Sequence, residues 1–246
     1  MKEFITAASQ FVYDGFLYDV FFVLGFVAVF AFFLWRGKYF GVKPIRSVLL
    51  VLIVYPSVVL WMFVQYWIET GVFGGNNIVR CFVYMPLFAI PAAKILKLSW
   101  KQACDMLAPA TCVVHGVSHW GCMFAGCCSG FPMSWGLYNP ATNQYCFPSP
   151  PLEALTALFI IWFILRREKK NNHKVDGLSM PIMLMLFGST RFIFEFFRDN
   201  EKIWMGCSSL AFHALFMAVV GLIMYVVIDQ HNQKLEAQAA QTSISK

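Results

Sequence analysis

The sequence predicts an all-α, polytopic integral membrane protein with about seven transmembrane helices, its amino terminus outside and its carboxyl terminus inside. Three observations carry this. Of 246 residues, 59% are hydrophobic and only 13% charged, and the mean hydropathy is +0.62, which is too apolar for one soluble core. The apolar runs are continuous over about 18 residues or more, whereas barrel strands would alternate over about ten. Finally, Lys and Arg cluster in alternate loops, the asymmetry that sets membrane orientation.

Residues 11–35 make the first span, with Asp14, Tyr18 and Asp19 near its start, and Arg36, Lys38, Lys43 and Arg46 form a basic loop after it. Residues 47–67 make the second, and its connector through Glu69 and Gly74-Gly75-Asn76-Asn77 holds no Lys or Arg. The third, 78–93, carries Pro86 and Pro91, which should bend it, and ends on Lys94, Lys97 and Lys101. The fourth runs from 103 to about 118 and leads into a Gly/Cys run and a stretch rich in Pro, Asn, Trp and Tyr up to Pro151. The fifth, 152–165, ends in Arg166-Arg167-Glu168-Lys169-Lys170; 178–197 is the sixth and 208–228 the seventh. One transmembrane domain, 1–228, thus carries an outer segment, 116–151, and 229–246 is a polar cytoplasmic tail. No signal peptide is evident, since Lys2 and Glu3 precede little apolar length, and the first span serves as the insertion signal. The net charge of +6 falls in short clusters between spans and forms no broad stripe, so topology accounts for it and no nucleic-acid partner is expected.

The run His115-Gly-Val-Ser-His-Trp-Gly-Cys-Met-Phe-Ala-Gly-Cys-Cys-Ser-Gly130 is the first place to look for a site. Gly116, Gly121, Gly126 and Gly130 let backbone approach other backbone or a ligand. His115 and His119 titrate near neutrality when unperturbed. A polar, glycine-rich break at the end of a hydrophobic span is tolerated where it packs in protein or lines a wet cavity.

The sixth span carries Arg191, Glu195 and Arg198 at i, i+4 and i+7, one face of a helix. Arg191 lies about 10 Å deeper than Arg198 at a rise of about 1.5 Å per residue. An intramembrane arginine costs at least about 2.5 kcal/mol on insertion scales, so it should face the bundle with a partner. Either Arg191 and Glu195 only tie the helix to its neighbours, or Glu195 orients a guanidinium fork that holds an anionic oxygen. Two arginines around one glutamate leave net positive charge, which favours the second. Glu153, at the outer start of the fifth span, reads equally as a site residue and as a carboxylate favourable to the helix dipole. Asp105 reads as a helix-start residue, and Tyr18 suits an interfacial belt.

Gly121-Cys-Met-Phe-Ala-Gly-Cys-Cys-Ser-Gly130, the Pro148-Ser149 and Glu153 element, and Gly188-Ser-Thr-Arg-Phe-Ile-Phe-Glu-Phe-Phe-Arg198 resemble, in order, the signatures of the prolipoprotein diacylglyceryl transferase family. The resemblance extends from Tyr18 to about residue 228. It implies a seven-span bacterial inner-membrane enzyme that transfers diacylglyceryl from phosphatidylglycerol to the lipobox cysteine of a prolipoprotein and releases glycerol phosphate. Its partners would be the bilayer, phosphatidylglycerol and the lipobox peptide, with no cofactor. Arg191, Glu195 and Arg198 would belong to the headgroup site, Tyr18 would line it and Glu153 would support it. The sequence departs from the family at four places. The His-Gly-Gly element at the third span reads Asn77-Ile-Val-Arg-Cys81, the arginine before the first glycine of the Gly/Cys run is His119, the histidine before Pro-Ser is Phe147, and the tyrosine before the span-six glycine is Phe187.

Alkylating a thiol needs a thiolate and stabilisation of the leaving group's charge. Arg191, Arg198 and Arg80 are the candidates for the phosphate. His115 or His119 can serve as base in place of the absent histidine, the alternative being histidines that satisfy backbone carbonyls. Among the eight cysteines, Cys122, Cys127, Cys128 and Cys146 lie on or near the outer side and read as small packing residues or one disulfide. A zinc site shared with His115 or His119 is conceivable, but the spacing lacks a paired Cys-x-x-Cys motif and no metal is expected. The rival readings are a transferase acting on a different nucleophile, a non-catalytic phospholipid-binding protein of the same fold, and a small transporter, which the lack of an evident internal repeat disfavours.

Overall fold

A computed structural model describes residues 16–73, 78–139, 142–198 and 200–244. Asp14, Asp199 and the Gly74-Gly75-Asn76-Asn77 connector lie outside the described residues. The elements run α1 (Phe16–Tyr39), α2 (Pro44–Thr70), α3 (Ile78–Phe82), α4 (Met85–Leu96), α5 (Trp100–Ala125), β1 (Pro132–Asn139), β2 (Gln144–Cys146), α6 (Ser149–Lys170), α7 (Ser179–Glu195) and α8 (Ser209–Ile244). The helical class holds, with a two-stranded antiparallel hairpin added between α5 and α6. Four helices, α1, α2, α6 and the Ser209–Thr242 part of α8, are long and apolar enough to cross a membrane.

α5 is the central rod. It packs against α1, α6 and α7, and Ala103, Cys104, Met106, Leu107, Ala108 and Ala110 are fully buried on it. A Ser99 and Gln102 capping box starts it, satisfying two otherwise orphaned backbone donors. It does not end near residue 118 as expected: the helix continues through His115, His119 and Gly121 to Ala125, and only Gly126, at φ 66, turns the chain out of it. Helical glycine costs about 1 kcal/mol relative to alanine, but here it permits close packing. A Cβ on Gly116 would stand 3.2 Å from Ala157 Cβ, and one on Gly121 would stand 3.0 Å from Phe21 Cβ.

The expected third span is two helices, because Pro86 falls in the first turn of α4, where its missing N–H is not needed, and the chain turns at Val83 and Tyr84. The polar segment after residue 228 continues α8 as helix, in keeping with its Gln, Ala, Leu, Lys and Glu content. α7 and α8 pack through small residues: a Cβ on Gly188 would lie 2.6 Å from Ala218 N, and one on Gly221 2.7 Å from Met185 N.

At the basic end of the bundle, Arg36 and Glu168, counted above as loop charges, are both buried and form a two-pronged pair at 2.8 and 2.9 Å. Arg36 also donates to Asp105 O at 2.7 Å, and Ser179 Oγ donates to Glu168 at 2.6 Å. Asp105 is not a helix-start residue: its carboxylate accepts from the backbone N–H of Gly177 and Ser179 at 2.9 and 3.1 Å, tying the start of α7 to α5.

Candidate functional site

At the hairpin end, α5, α6 and α7 bring their polar groups to one carboxylate. Glu153, in the first turns of α6, is 3% exposed. Its Oε1 accepts from Arg191 Nη1 at 2.5 Å and from Ser149 Oγ at 3.2 Å, and lies 2.8 Å from Arg198 Nη2. Its Oε2 lies 3.1 Å from His119 Nε2 and 3.6 Å from His115 Nε2. The two imidazoles, one helical turn apart on α5, have ring centroids 3.9 Å apart. Glu195 accepts from Arg191 Nη2 at 2.5 Å on one oxygen. Its other oxygen accepts from Asn200 Nδ2 and Ser208 Oγ, each at 2.7 Å.

The sequence expectation of a helical face holding Arg191, Glu195 and Arg198 is met only in part. α7 ends at Glu195, and Arg198 arrives through a turn and a β-bridge to Gly130. Gly130 is the hinge of this arrangement, since a Cβ there would lie 2.4 Å from Phe197 O and 2.5 Å from Phe147 Cβ. The rings of Phe131, Phe147 and Phe197 stack around it, with centroids 4.7 to 6.5 Å apart. Phe147, standing where the family histidine is expected, therefore serves packing.

Arg191 does not present a free fork: its two terminal nitrogens are taken by Glu153 and Glu195. Glu153 joins the cluster as a second carboxylate, so two guanidiniums face two carboxylates instead of one, and the net positive charge read from α7 alone is cancelled. What remains for a ligand is Arg191 Nε, buried without a hydrogen-bond partner among the described residues, and Arg198 Nη2, close to Glu153 but outside a hydrogen-bonding direction. Lys202 adds a cation beside them, donating to Glu195 O and Arg198 O at 3.0 and 3.3 Å. Neither Asn200, Lys202 nor Ser208 carries a periodicity that sequence reasoning could have used.

The other candidates lie around this centre. Tyr18 is half-buried on α1, its ring stacked on Phe22 at 6.2 Å, and its backbone O would stand 3.2 Å from a Cβ on Gly121. Gly121 therefore joins α5 to α1, and Gly126 serves as the turn after α5. Arg80 is buried elsewhere, paired with Glu69 and lying over the ring of Tyr66 at 5.7 Å. Glu69 also lies 3.5 Å from His213 Nε2.

No disulfide joins the cysteines among the described residues, and the thiols of Cys122, Cys127 and Cys128 lie within 4.8 Å of one another. Cys128, past the end of α5 and in the left-handed region at φ 61, has its thiol held well below the usual range by hydrogen bonding with the Cys122 and Cys127 thiols and by the nearby Arg198 guanidinium. A cavity of about 10 Å³, room for one water-sized occupant, is lined by His115, Glu153, Thr156, Phe187, Thr190, Arg191 and Phe194.

Comparison with known proteins bears on this geometry. The chain is 26% identical over 144 residues to phosphatidylglycerol–prolipoprotein diacylglyceryl transferase 2 of Clostridium perfringens (strain 13 / Type A). The aligned part is 53% of this chain and 54% of that protein, so the chain spans about half the length of the curated relative it matches. A family model described as prolipoprotein diacylglyceryl transferase matches residues 16–227, from the start of α1 into α8 and across every residue of the Glu153 cluster. The chain therefore belongs to the prolipoprotein diacylglyceryl transferase family.

Proposed function

We propose that this chain is a seven-span transferase of the bacterial inner membrane that carries diacylglyceryl from phosphatidylglycerol to the thiol of a lipobox cysteine. Its amino terminus lies outside, and the Glu153 cluster lies toward the outer side. The observation that carries the reading is the convergence of Arg191, Arg198, Glu153 and Glu195, at positions of the family signatures, with His115 and His119 in one buried site among apolar helices.

In the reaction a thiolate attacks the glycerol carbon that bears the phosphate. The carbon–oxygen bond breaks, its electron pair stays on the phosphate oxygen, and a thioether and glycerol phosphate leave. The charge that grows on that oxygen is met by guanidinium donors fixed in a dry site, where a preorganised dipole is worth more than in water. Arg191 Nε and Arg198 Nη2 are the donors left for it, and Glu153 and Glu195 hold their positions. The histidine pair activates the acceptor thiol.

Lipid enters between α6 and α7, a route supported by the cavity lining on both helices and by the exposed Leu155, Phe159 and Ile193 on their outer faces. A headgroup far exceeds about 10 Å³, so it enters by parting these helices or lifting the 126–130 turn. The departures from the family signatures at Asn77, His119, Phe147 and Phe187 favour a second reading, a family member that binds phospholipid without turning it over. Purified protein incubated with labelled phosphatidylglycerol and a lipobox peptide separates the two: a peptide heavier by one diacylglyceryl group supports the transferase, and bound lipid with an unmodified peptide supports the second.

A further inference from the structure

The proton count at His119 leads beyond simple base chemistry. His119 Nδ1 lies 3.1 Å from the backbone oxygen of His115. A carbonyl only accepts, so Nδ1 carries the hydrogen and a neutral ring directs a bare lone pair from Nε2. That lone pair meets Glu153 Oε2, another acceptor, at 3.1 Å, and His115 Nε2 lies 3.6 Å from the same oxygen. The lone pair and the carboxylate oxygen repel in a buried pocket unless a cation lies between them. A second proton on His119 is the simplest cation, yet neither imidazole has the direction of a hydrogen bond to Oε2. Both ring nitrogens of His115 and Oε2 itself have no hydrogen-bond partner among the described residues. The atoms surround a common point more than they point at one another.

We propose that His115 Nε2, His119 Nε2 and Glu153 Oε2 hold a divalent metal ion of the zinc class, with a fourth position open to the acceptor thiol. Four features support it. Two histidines at i and i+4 present both rings on one helix face, the spacing helical zinc sites use. Zinc bonds of about 2.0–2.1 Å in tetrahedral geometry put ligand atoms about 3.3 Å apart, close to the 3.1 and 3.6 Å found; all three ligand atoms fall within 4.8 Å of one another. The outer contacts are those a ligand set needs: His119 gives its other N–H to a carbonyl, and the second oxygen of Glu153 is held by Arg191 and Ser149. Two imidazoles with one carboxylate suit zinc better than magnesium or calcium, which prefer oxygen ligands.

Electrostatics and chemistry agree. The two guanidiniums cancel the two carboxylates and only Lys202 is left over beside them among the described residues, so the dication supplies further positive charge for a phosphodiester and a thiolate together to neutralise. A thiol taking the open fourth position is made more acidic by the ion, gives up its proton to solvent and stays bound as a nucleophilic thiolate. His115 and His119 then activate the thiol as ligands and not as bases. This last step rests on the transferase reading; the ion itself does not.

The test uses the full chain in lipid nanodiscs, loaded with zinc or cobalt, with bound metal counted by mass spectrometry. One equivalent is expected, with cobalt showing visible d–d bands and no strong sulfur-to-metal charge transfer. H115Q and H119Q should each bind at least tenfold more weakly, whereas C127S should keep the metal. Folded wild-type protein that binds no metal overturns the proposal, as does a thiolate charge-transfer band lost in C127S, which would place the ion on the cysteine cluster. If the His variants misfold, the wild-type cobalt spectrum alone decides between nitrogen–oxygen and sulfur ligands. Metal held without diacylglyceryl transfer leaves the site and removes the activity; transfer that survives chelation removes the metal and leaves the activity.

Discussion

Replacing Glu153 by alanine tests the centre of the site. The carboxylate holds Arg191 at 2.5 Å and Arg198 at 2.8 Å, and all three side chains are buried. Removing one partner of a buried pair costs about 3–5 kcal/mol because the other charge is left uncompensated. Arg191 keeps Glu195 at 2.5 Å, so the loss falls mainly on Arg198, which keeps Ser149 Oγ, 3.3 Å from its Nε, and weaker attraction from Cys128 and Glu195. The lower end, about 3 kcal/mol, follows, and at about 2–4 °C per kcal/mol for a chain of this size the unfolding midpoint drops by about 6–12 °C. Thermal unfolding in detergent with chelator present reads this pairing without any metal contribution. E153Q, which keeps an acceptor but no charge, should fall between, and E153A with R198M should recover part of the loss. An E153A midpoint within about 1 °C of wild type would refute the pairing as the cluster's organising contact.

The basic end gives a purely structural counterpart. R36M leaves Glu168 buried without its cation and should cost about 3–5 kcal/mol, while R36M with E168M should regain most of it; equal losses in single and double variants of the unfolding midpoint would contradict the pair. The lowered thiol of Cys128 predicts a pH profile. A depressed value keeps the thiolate populated as pH falls, so Cys128 should alkylate with iodoacetamide at an undiminished rate from pH about 8.5, the ordinary thiol value, down through neutrality. A tenfold loss per pH unit below about 8.5, followed by mass spectrometry of the labelled peptide, would show an ordinary thiol.

Much of the helical frame was legible because continuous apolar length needs no tertiary information. The i, i+4 spacing likewise paired Arg191 with Glu195 correctly. What escaped reading was convergence between helices. Glu153 reads in sequence equally as a site residue and as a helix-dipole carboxylate, and only the approach of α5 and α7 makes it the partner of both arginines and both histidines. Arg198 falls on the right heptad face, yet α7 stops at Glu195 with no glycine or proline to announce it. Gly116 and Gly121 allow close packing as their size suggested, but inside a helix that continues where the run was read as a break. Arg36 and Glu168 were counted as topology signals, since a charge count takes no notice of burial.

The two polar clusters of the bundle differ in a way that separates support from function. At the basic end most groups have a partner: Arg36 serves Glu168 and a backbone oxygen, Asp105 takes two backbone N–H groups, and Arg36 Nε and Ser47 Oγ are left over among the described residues. At the hairpin end His115 Nδ1 and Nε2, Glu153 Oε2, Arg191 Nε and Arg198 Nη2 are all buried without a hydrogen-bond partner among the described residues. Each such group costs about 1–3 kcal/mol, so a cluster kept only for stability would have been cheaper as packed apolar side chains. The unmatched set puts the His115 nitrogens and Glu153 Oε2 on the α5 side and guanidinium donors on and just past α7. A cation answers the first and an anionic oxygen the second, and a reaction that joins a thiolate to a phosphodiester's carbon needs both within reach of each other.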